Sequence, residues 1–249
     1  MKILNKAAFT LAEVLITLGI IGMVAQMTIP TLMQSTEKQS NLARLKQFYS
    51  TFNQGMQMYM QSQDCSDLAC TNIFNGMFQD ADYKTNMDKA FSATFKGYIP
   101  CADYDCQESV KMLSGDVWTD FFSIDNGYTF KLADGSMVLI EDWDGENCPN
   151  WGNPSKITGH CAYIYADVNG NKMPNKMGRD VFVFFLAKSG DMYPYLGSEV
   201  TKYMWGDDTS AWKSNDSYCG TAGSPTIPDY AGGWGCAARI VESGWIEEY

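Results

Sequence analysis

The sequence predicts an α+β protein, with a long N-terminal membrane-spanning helix packed on an antiparallel β-sheet domain with disulfide-stapled loops. Three observations carry that prediction. Residues 14–33 run for twenty positions without a charge, and apolar residues then recur at helical spacing as far as Tyr59. Beyond residue 120, β-favouring runs alternate with short glycine-containing turns, and all eight cysteines lie after residue 60.

The uncharged run comes first in the chain. Twenty helical residues rise about 30 Å, the thickness of a bilayer's hydrocarbon core. Lys2 and Lys6 precede the run and no basic residue interrupts it, which predicts a cytoplasmic N-terminus with the remainder translocated. An ordinary secretory signal would have a shorter apolar core followed by a small-x-small cleavage site. Glu13 argues against one. A lone carboxylate at the start of an apolar helix is costly, about 2.5–3.5 kcal/mol at a helix centre and less near the interface, so it needs a partner.

The residues Ala7-Ala8-Phe9-Thr10-Leu11-Ala12-Glu13-Val14-Leu15 resemble the N-terminal signal of type IV prepilins and type II secretion pseudopilins. In that family a membrane-embedded prepilin peptidase cuts before the Phe and methylates the new amine. The resemblance therefore implies removal of residues 1–8 by a cut between Ala8 and Phe9. It also implies retention of the helix and assembly with other pilin or pseudopilin subunits at the inner membrane. Glu13 would then meet the cationic amine of a neighbouring subunit's Phe9, and methylation keeps that charge. The family usually has Gly before the cut, whereas Ala8 stands here; small size is preserved and slower processing is expected. Pro30 falls where the family's helix-kinking proline sits. On the residues alone it either bends the helix or ends the membrane segment.

After a polar patch at residues 34–41, Leu42, Leu45, Phe48, Phe52, Met56 and Tyr59 form one apolar stripe in steps of three or four. Residues 34–60 are therefore expected to continue the helix, with the stripe on a sheet and Lys38, Arg44 and Lys46 solvated. Residues 61–249 are expected to form a disulfide-rich extracytoplasmic domain in which helical periodicity fades. Residues 128–132 and 136–140 flank Ala133-Asp134-Gly135 and predict a hairpin. Residues 161–165 and 181–186 predict two further strands, and Lys188-Ser189-Gly190-Asp191 a turn into residues 192–195. Residues 237–247 are expected to return as a final edge strand.

The cysteines are even in number, which suits an oxidising compartment. The spacing lacks a C-x2-C pair and the chain has one histidine, so zinc fits poorly. Local loop closure orders the pairs as Cys65–Cys70, Cys101–Cys106, Cys148–Cys161 and Cys219–Cys236. The last pair resembles the disulfide loop near a pilin C-terminus.

Residues 167–180 gather Asp167, Asn169, Asn171, Asn175 and Asp180 with glycines and a proline. Calcium takes roughly six to eight oxygen ligands, and such a loop offers oxygens. Its composition is similar to the calcium loop of some pseudopilins. With two carboxylates among Lys172, Lys176 and Arg179, a turn on Asn169-Gly170 accounts for the same residues, and no other cofactor is indicated. Residues 141–147 hold more carboxylates in what reads as a solvated loop.

Lys+Arg 18 against Asp+Glu 29 makes the net charge −11, which argues against a phosphate backbone as partner; no nucleic acid is expected. His160 is the only imidazole, and no nucleophile, phosphate or dinucleotide motif accompanies it, so the chain does not read as an enzyme. The seven tryptophans suit either core packing or a surface for sugars. A filament subunit is the first functional expectation, and an adhesin-like, ligand-binding module carried on a filament is the second.

Overall fold

A computed structural model describes residues 10–76, 82–101, 106, 109–118, 122, 127–141, 146–206, 219 and 232–246. Helix α1 runs from Leu11 to Ser62, with Pro30 inside it. The protein divides after Ser40 into two compact units, the second being Asn41–Tyr249. In the first unit α1 has no internal cover: Leu11 is 78% and Met27 71% exposed. In the second unit the helix buries Asn41, Leu45, Phe48, Phe52, Gly55, Met56 and Met60, the three- and four-residue steps of a single face.

That face lies on a six-stranded antiparallel sheet in the order β1-β4-β5-β6-β7-β8. The strands are β1 (Ile99–Pro100), β4 (Tyr128–Lys131), β5 (Met137–Glu141), β6 (His160–Asp167), β7 (Val181–Ala187) and β8 (Met192–Pro194). A separate pair joins β2 (Val110–Lys111) to β3 (Val117–Trp118). The β4–β5 hairpin turns on Asp134-Gly135, with Gly135 at φ +87° and Asp134 Oδ1 accepting from Ser136 N at 3.0 Å. Register runs Thr129 to Leu139, Ile140 to Ile164, Tyr165 to Val183 and Phe185 to Tyr193.

The sheet is covered on both faces. Phe130, Val138, Ile164, Phe182 and Phe184 share one core with Phe48 and Phe52 of α1. Met137, Leu139, Tyr165, Val183 and Phe185 share the other with Val110, Met177, Tyr203 and Trp234. This explains why β7 reads as an unbroken Val-Phe-Val-Phe-Phe-Leu-Ala run, every residue of which is buried.

Among the described residues, four further helices lie outside the sequence reading. Helix α2 (Leu68–Thr71) is one turn capped by Asp67, whose Oδ1 accepts from Cys70 N at 2.9 Å. Helix α3 (Tyr83–Thr94) buries Tyr83, Met87, Ala90 and Phe91, and Phe91 stacks on Phe130 at 5.3 Å. Helix α4 spans Ser198–Trp205. Helix α5 (Cys236–Glu242) occupies residues expected to be a closing strand. Ala237, Ala238 and Arg239 favour helix, and the apolar side of the turn, with Cys236, Ala237, Ala238 and Ile240, is buried. Disulfides join Cys65 to Cys70, Cys101 to Cys106, Cys148 to Cys161 and Cys219 to Cys236, with Cα separations of 5.5, 5.2, 4.0 and 4.6 Å.

Candidate assembly helix and loop site

The start of α1 is organised by two side chains. Thr10 N and Thr10 Oγ1 donate to Glu13 Oε2 at 2.8 and 2.9 Å, and Glu13 N donates to Thr10 Oγ1 at 3.3 Å. This reciprocal arrangement is a capping box, in which the N-cap hydroxyl and the carboxylate three residues on satisfy each other's backbone N–H groups. Glu13 therefore has partners within its own chain. Ala8 and Phe9, the residues of the expected cleavage, lie outside the described residues. Pro30 lies inside the helix, which continues to Ser62.

From Leu11 onward the helix is long and apolar enough to cross a membrane, and its most apolar window has no burial within the protein. Leu15, Leu18, Ile21 and Val24 are each more than half exposed. Its threonines turn inward to the backbone: Thr17 Oγ1 donates to Val14 O at 2.9 Å, Thr28 Oγ1 to Val24 O at 3.0 Å and Thr31 Oγ1 to Thr28 O at 2.8 Å.

In the second unit, polar residues of α1 that the apolar stripe does not mark tie the helix to the sheet edge. Met192 N donates to Asn53 Oδ1 at 2.7 Å, and Tyr49 OH donates to Met192 O at 2.7 Å. Gln57 Nε2 donates to Ser189 O at 3.0 Å. Asn41 Nδ2 donates to Arg179 O at 3.3 Å, which fastens the 167–180 loop to the helix. No sequence signal marks these four residues, because their partners are backbone groups more than a hundred residues away.

The 167–180 loop brings Asp167, Asn169, Asn175 and Asp180 together and leaves Asn171 exposed. Asp180 is fully buried and organises the loop. Its Oδ2 accepts from Asn175 N at 2.9 Å and from Asn169 Nδ2 at 3.2 Å, and its Oδ1 accepts from Lys176 N at 2.5 Å. Burial pushes the carboxyl up to about 6, with the N–H donors opposing it. Asp167 Oδ1 accepts from Asn169 N at 3.0 Å. Among the described residues there is no group of three or more His, Cys, Asp and Glu side chains able to hold a metal ion. Donors thus already meet the Asp180 oxygens, and the connection is a long folded loop rather than the tight turn on Asn169-Gly170. Gly170 is left-handed at φ +64°, and a Cβ there would lie 2.2 Å from Gly135 O on the neighbouring hairpin. Gly178, at φ +78°, would place a Cβ 2.5 Å from Cys236 Sγ. One loop therefore meets α1, the β4–β5 turn and the C-terminal disulfide.

His160 is buried at 3% exposure between aromatic rings, with centroids 4.1 Å from Phe185, 4.6 Å from Tyr163 and 5.8 Å from Trp151. Burial lowers its pKa to about 4, so the imidazole is neutral, and among the described residues its Nε2 has no hydrogen-bond partner. It is positioned as a packing residue. Of the tryptophans, Trp234 is buried, whereas Trp118 and Trp151 keep 43% and 46% of their surface.

The model of a family of unknown function, DUF6613, matches residues 31–246. The chain belongs to this family. Comparison with curated proteins and with solved structures returns no match. The DUF6613 match takes in the end of the apolar segment and the second unit as far as residue 246, and residues 1–30 lie outside it.

Proposed function

We propose that this DUF6613 member is a structural subunit of a type IV pilus or type II secretion-type pseudopilus, processed by prepilin peptidase and assembled through its N-terminal helix. The observation that carries the reading is the division of one helix into an apolar part without internal cover and a part with a buried face. Up to Ser40 its apolar side chains have no internal cover, and from Asn41 its apolar face is buried under a sheet. A lone membrane anchor would account for the first half. The Phe9-Thr10-Leu11-Ala12-Glu13 signal adds the assembly function, because a carboxylate at the head of an apolar helix has a use where a cationic amine is generated beside it. In this reading the precursor is a single-pass inner-membrane protein with its N-terminus cytoplasmic. The disulfide-bonded domain is periplasmic or displayed on the filament, and the chain catalyses nothing.

Mass spectrometry of the native protein tests it. The expected mature chain begins at N-methylated Phe9 and has lost eight hydrogens to four disulfides. A mature chain that keeps residues 1–8 refutes the reading. Glu13→Leu subunits are expected to insert in the membrane but to enter sheared filaments at less than a tenth of the normal level.

A second reading, a ligand-binding module carried on the filament, draws on the exposed rings of Trp118 and Trp151. Glycan-array binding that Trp151→Ala abolishes would favour it. Calcium at Asp167, Asn169, Asn171, Asn175 and Asp180 is a subsidiary proposal, in which the cation displaces N–H donors from Asp180. A calcium-dependent rise in Tm that Asp180→Asn removes would support it, and equal Tm in calcium and in chelator would refute it.

A further inference from the structure

The apolar run contains one long polar side chain, Gln26, and its position is informative. Gln26 lies twelve residues after Val14 in a run of twenty, so it sits about 18 Å into a span of about 30 Å, well inside the hydrocarbon. Its side chain is exposed on the isolated chain, and among the described residues it has no hydrogen-bond partner. A second polar group lies at the same residue. Pro30 has no N–H to donate to the carbonyl four residues earlier, which is that of Gln26. The neighbouring hydroxyls do not compensate, since Thr28 donates to Val24 O and Thr31 to Thr28 O. Lipid tails supply neither donors nor acceptors, so a carboxamide and a carbonyl at this depth must find their partners on another helix.

We infer that Gln26 pairs copies of this chain within the membrane, its carboxamide bonding across a parallel helix dimer to the carboxamide and freed carbonyl of Gln26 in a second copy. A carboxamide both donates and accepts, so it is complementary to itself. Identical helices inserted in the same orientation place Gln26 at the same depth. The approach is also open: Gly19 and Gly22 lie seven and four positions before Gln26 on the same helix face, and a Cβ at either would meet nothing within 4 Å.

This inference rests on reading residues 14–33 as a membrane span. The test uses the full-length chain, fused at its C-terminus to donor or acceptor fluorophores, in phosphatidylethanolamine–phosphatidylglycerol vesicles. Energy transfer is measured as a function of protein-to-lipid ratio. Wild type and Gln26→Asn are expected to associate about three- to tenfold more tightly than Gln26→Leu, the range that interhelical hydrogen bonds produce. Leucine keeps the helix and the insertion, so a loss reports the carboxamide itself. Equal association of Gln26→Leu in carbonate-resistant form would overturn the pairing and leave the membrane reading standing. Wild-type protein that carbonate washes from the vesicles would overturn both.

Discussion

Replacing His160 with Phe should remove an acid-sensitive step from the stability of this protein. The imidazole sits at 3% exposure against Phe185, Tyr163 and Trp151, and burial holds its folded-state pKa near 4 rather than 6.5. The unfolded chain therefore binds a proton at higher pH than the folded one. Stability from this residue is complete above pH 6.5 and falls as pH drops towards 4, because protonation favours the state in which water reaches the ring. A gap from 6.5 to about 4 corresponds to about 3 kcal/mol over that interval. Asp180 works in the opposite sense. Its folded pKa of about 6 lies above the ordinary 3.8, so its contribution rises as pH falls through the same window. The wild-type profile should therefore be flatter than His160 alone would make it. In His160→Phe the Asp180 slope stands uncovered, and stability should increase on acidification from pH 6.5 to 4. Urea unfolding of the detergent-solubilised full chain, followed by tryptophan fluorescence at half-unit pH intervals, measures this directly. A wild type and a Phe variant with parallel profiles would refute the argument, since the imidazole would then titrate alike in folded and unfolded chains.

Three other predictions concern the seams of the second unit. Asn53→Ala leaves Met192 N–H without its acceptor at the sheet edge, and should cost about 1–3 kcal/mol in urea unfolding, with no change in disulfide content. Gly55→Ala puts a Cβ 2.3 Å from the Phe95 ring, and overpacking of that kind costs about 1–3 kcal/mol; paired with Phe95→Leu, most of the loss should be recovered. Asp180→Ala strips the acceptors from Asn175 N and Lys176 N, and hydrogen exchange at those two amides should accelerate before the rest of the sheet is affected.

The parts of this fold legible in the sequence share one property: their signal is local and periodic. The stripe from Leu45 to Met56 marks the buried face of α1, and Asp134-Gly135 between alternating apolar runs marks the first hairpin. Helix α5 was not legible, because Ile240 and Val241 sit as readily in a strand, and only its packing decides between the two. Helix α3 shows a four-residue stripe, Tyr83, Met87, Ala90 and Phe91, diluted by Lys84, Asn86, Asp88 and Lys89. At the candidate loop, composition marked the oxygens but could not show that Asp180 faces three N–H donors. At His160 the decisive neighbours, Trp151, Tyr163 and Phe185, converge only once the strands pair.

The treatment of the sheet edges bears on how such a protein can associate. An exposed edge strand offers unpaired N–H and C=O groups to any other strand. Here one edge is β8, only three residues long and ending at Pro194; Asn53 and Tyr49 of α1 take the outward N–H and C=O of Met192. The opposite edge is β1, two residues long and containing Pro100, which has no N–H to give. Both edges of the six-stranded sheet are thus blunted by short length and proline, and one also by side chains of the helix itself. Strand addition between copies is disfavoured on either side. Association is left to apolar surface and to the few polar groups that interrupt it, and among the described residues the longest apolar surface without internal cover is the first half of α1. If this is right, Asn53→Ala combined with Tyr49→Phe should free the β8 edge and convert the domain to concentration-dependent aggregates, while Glu13→Leu should leave its aggregation unchanged.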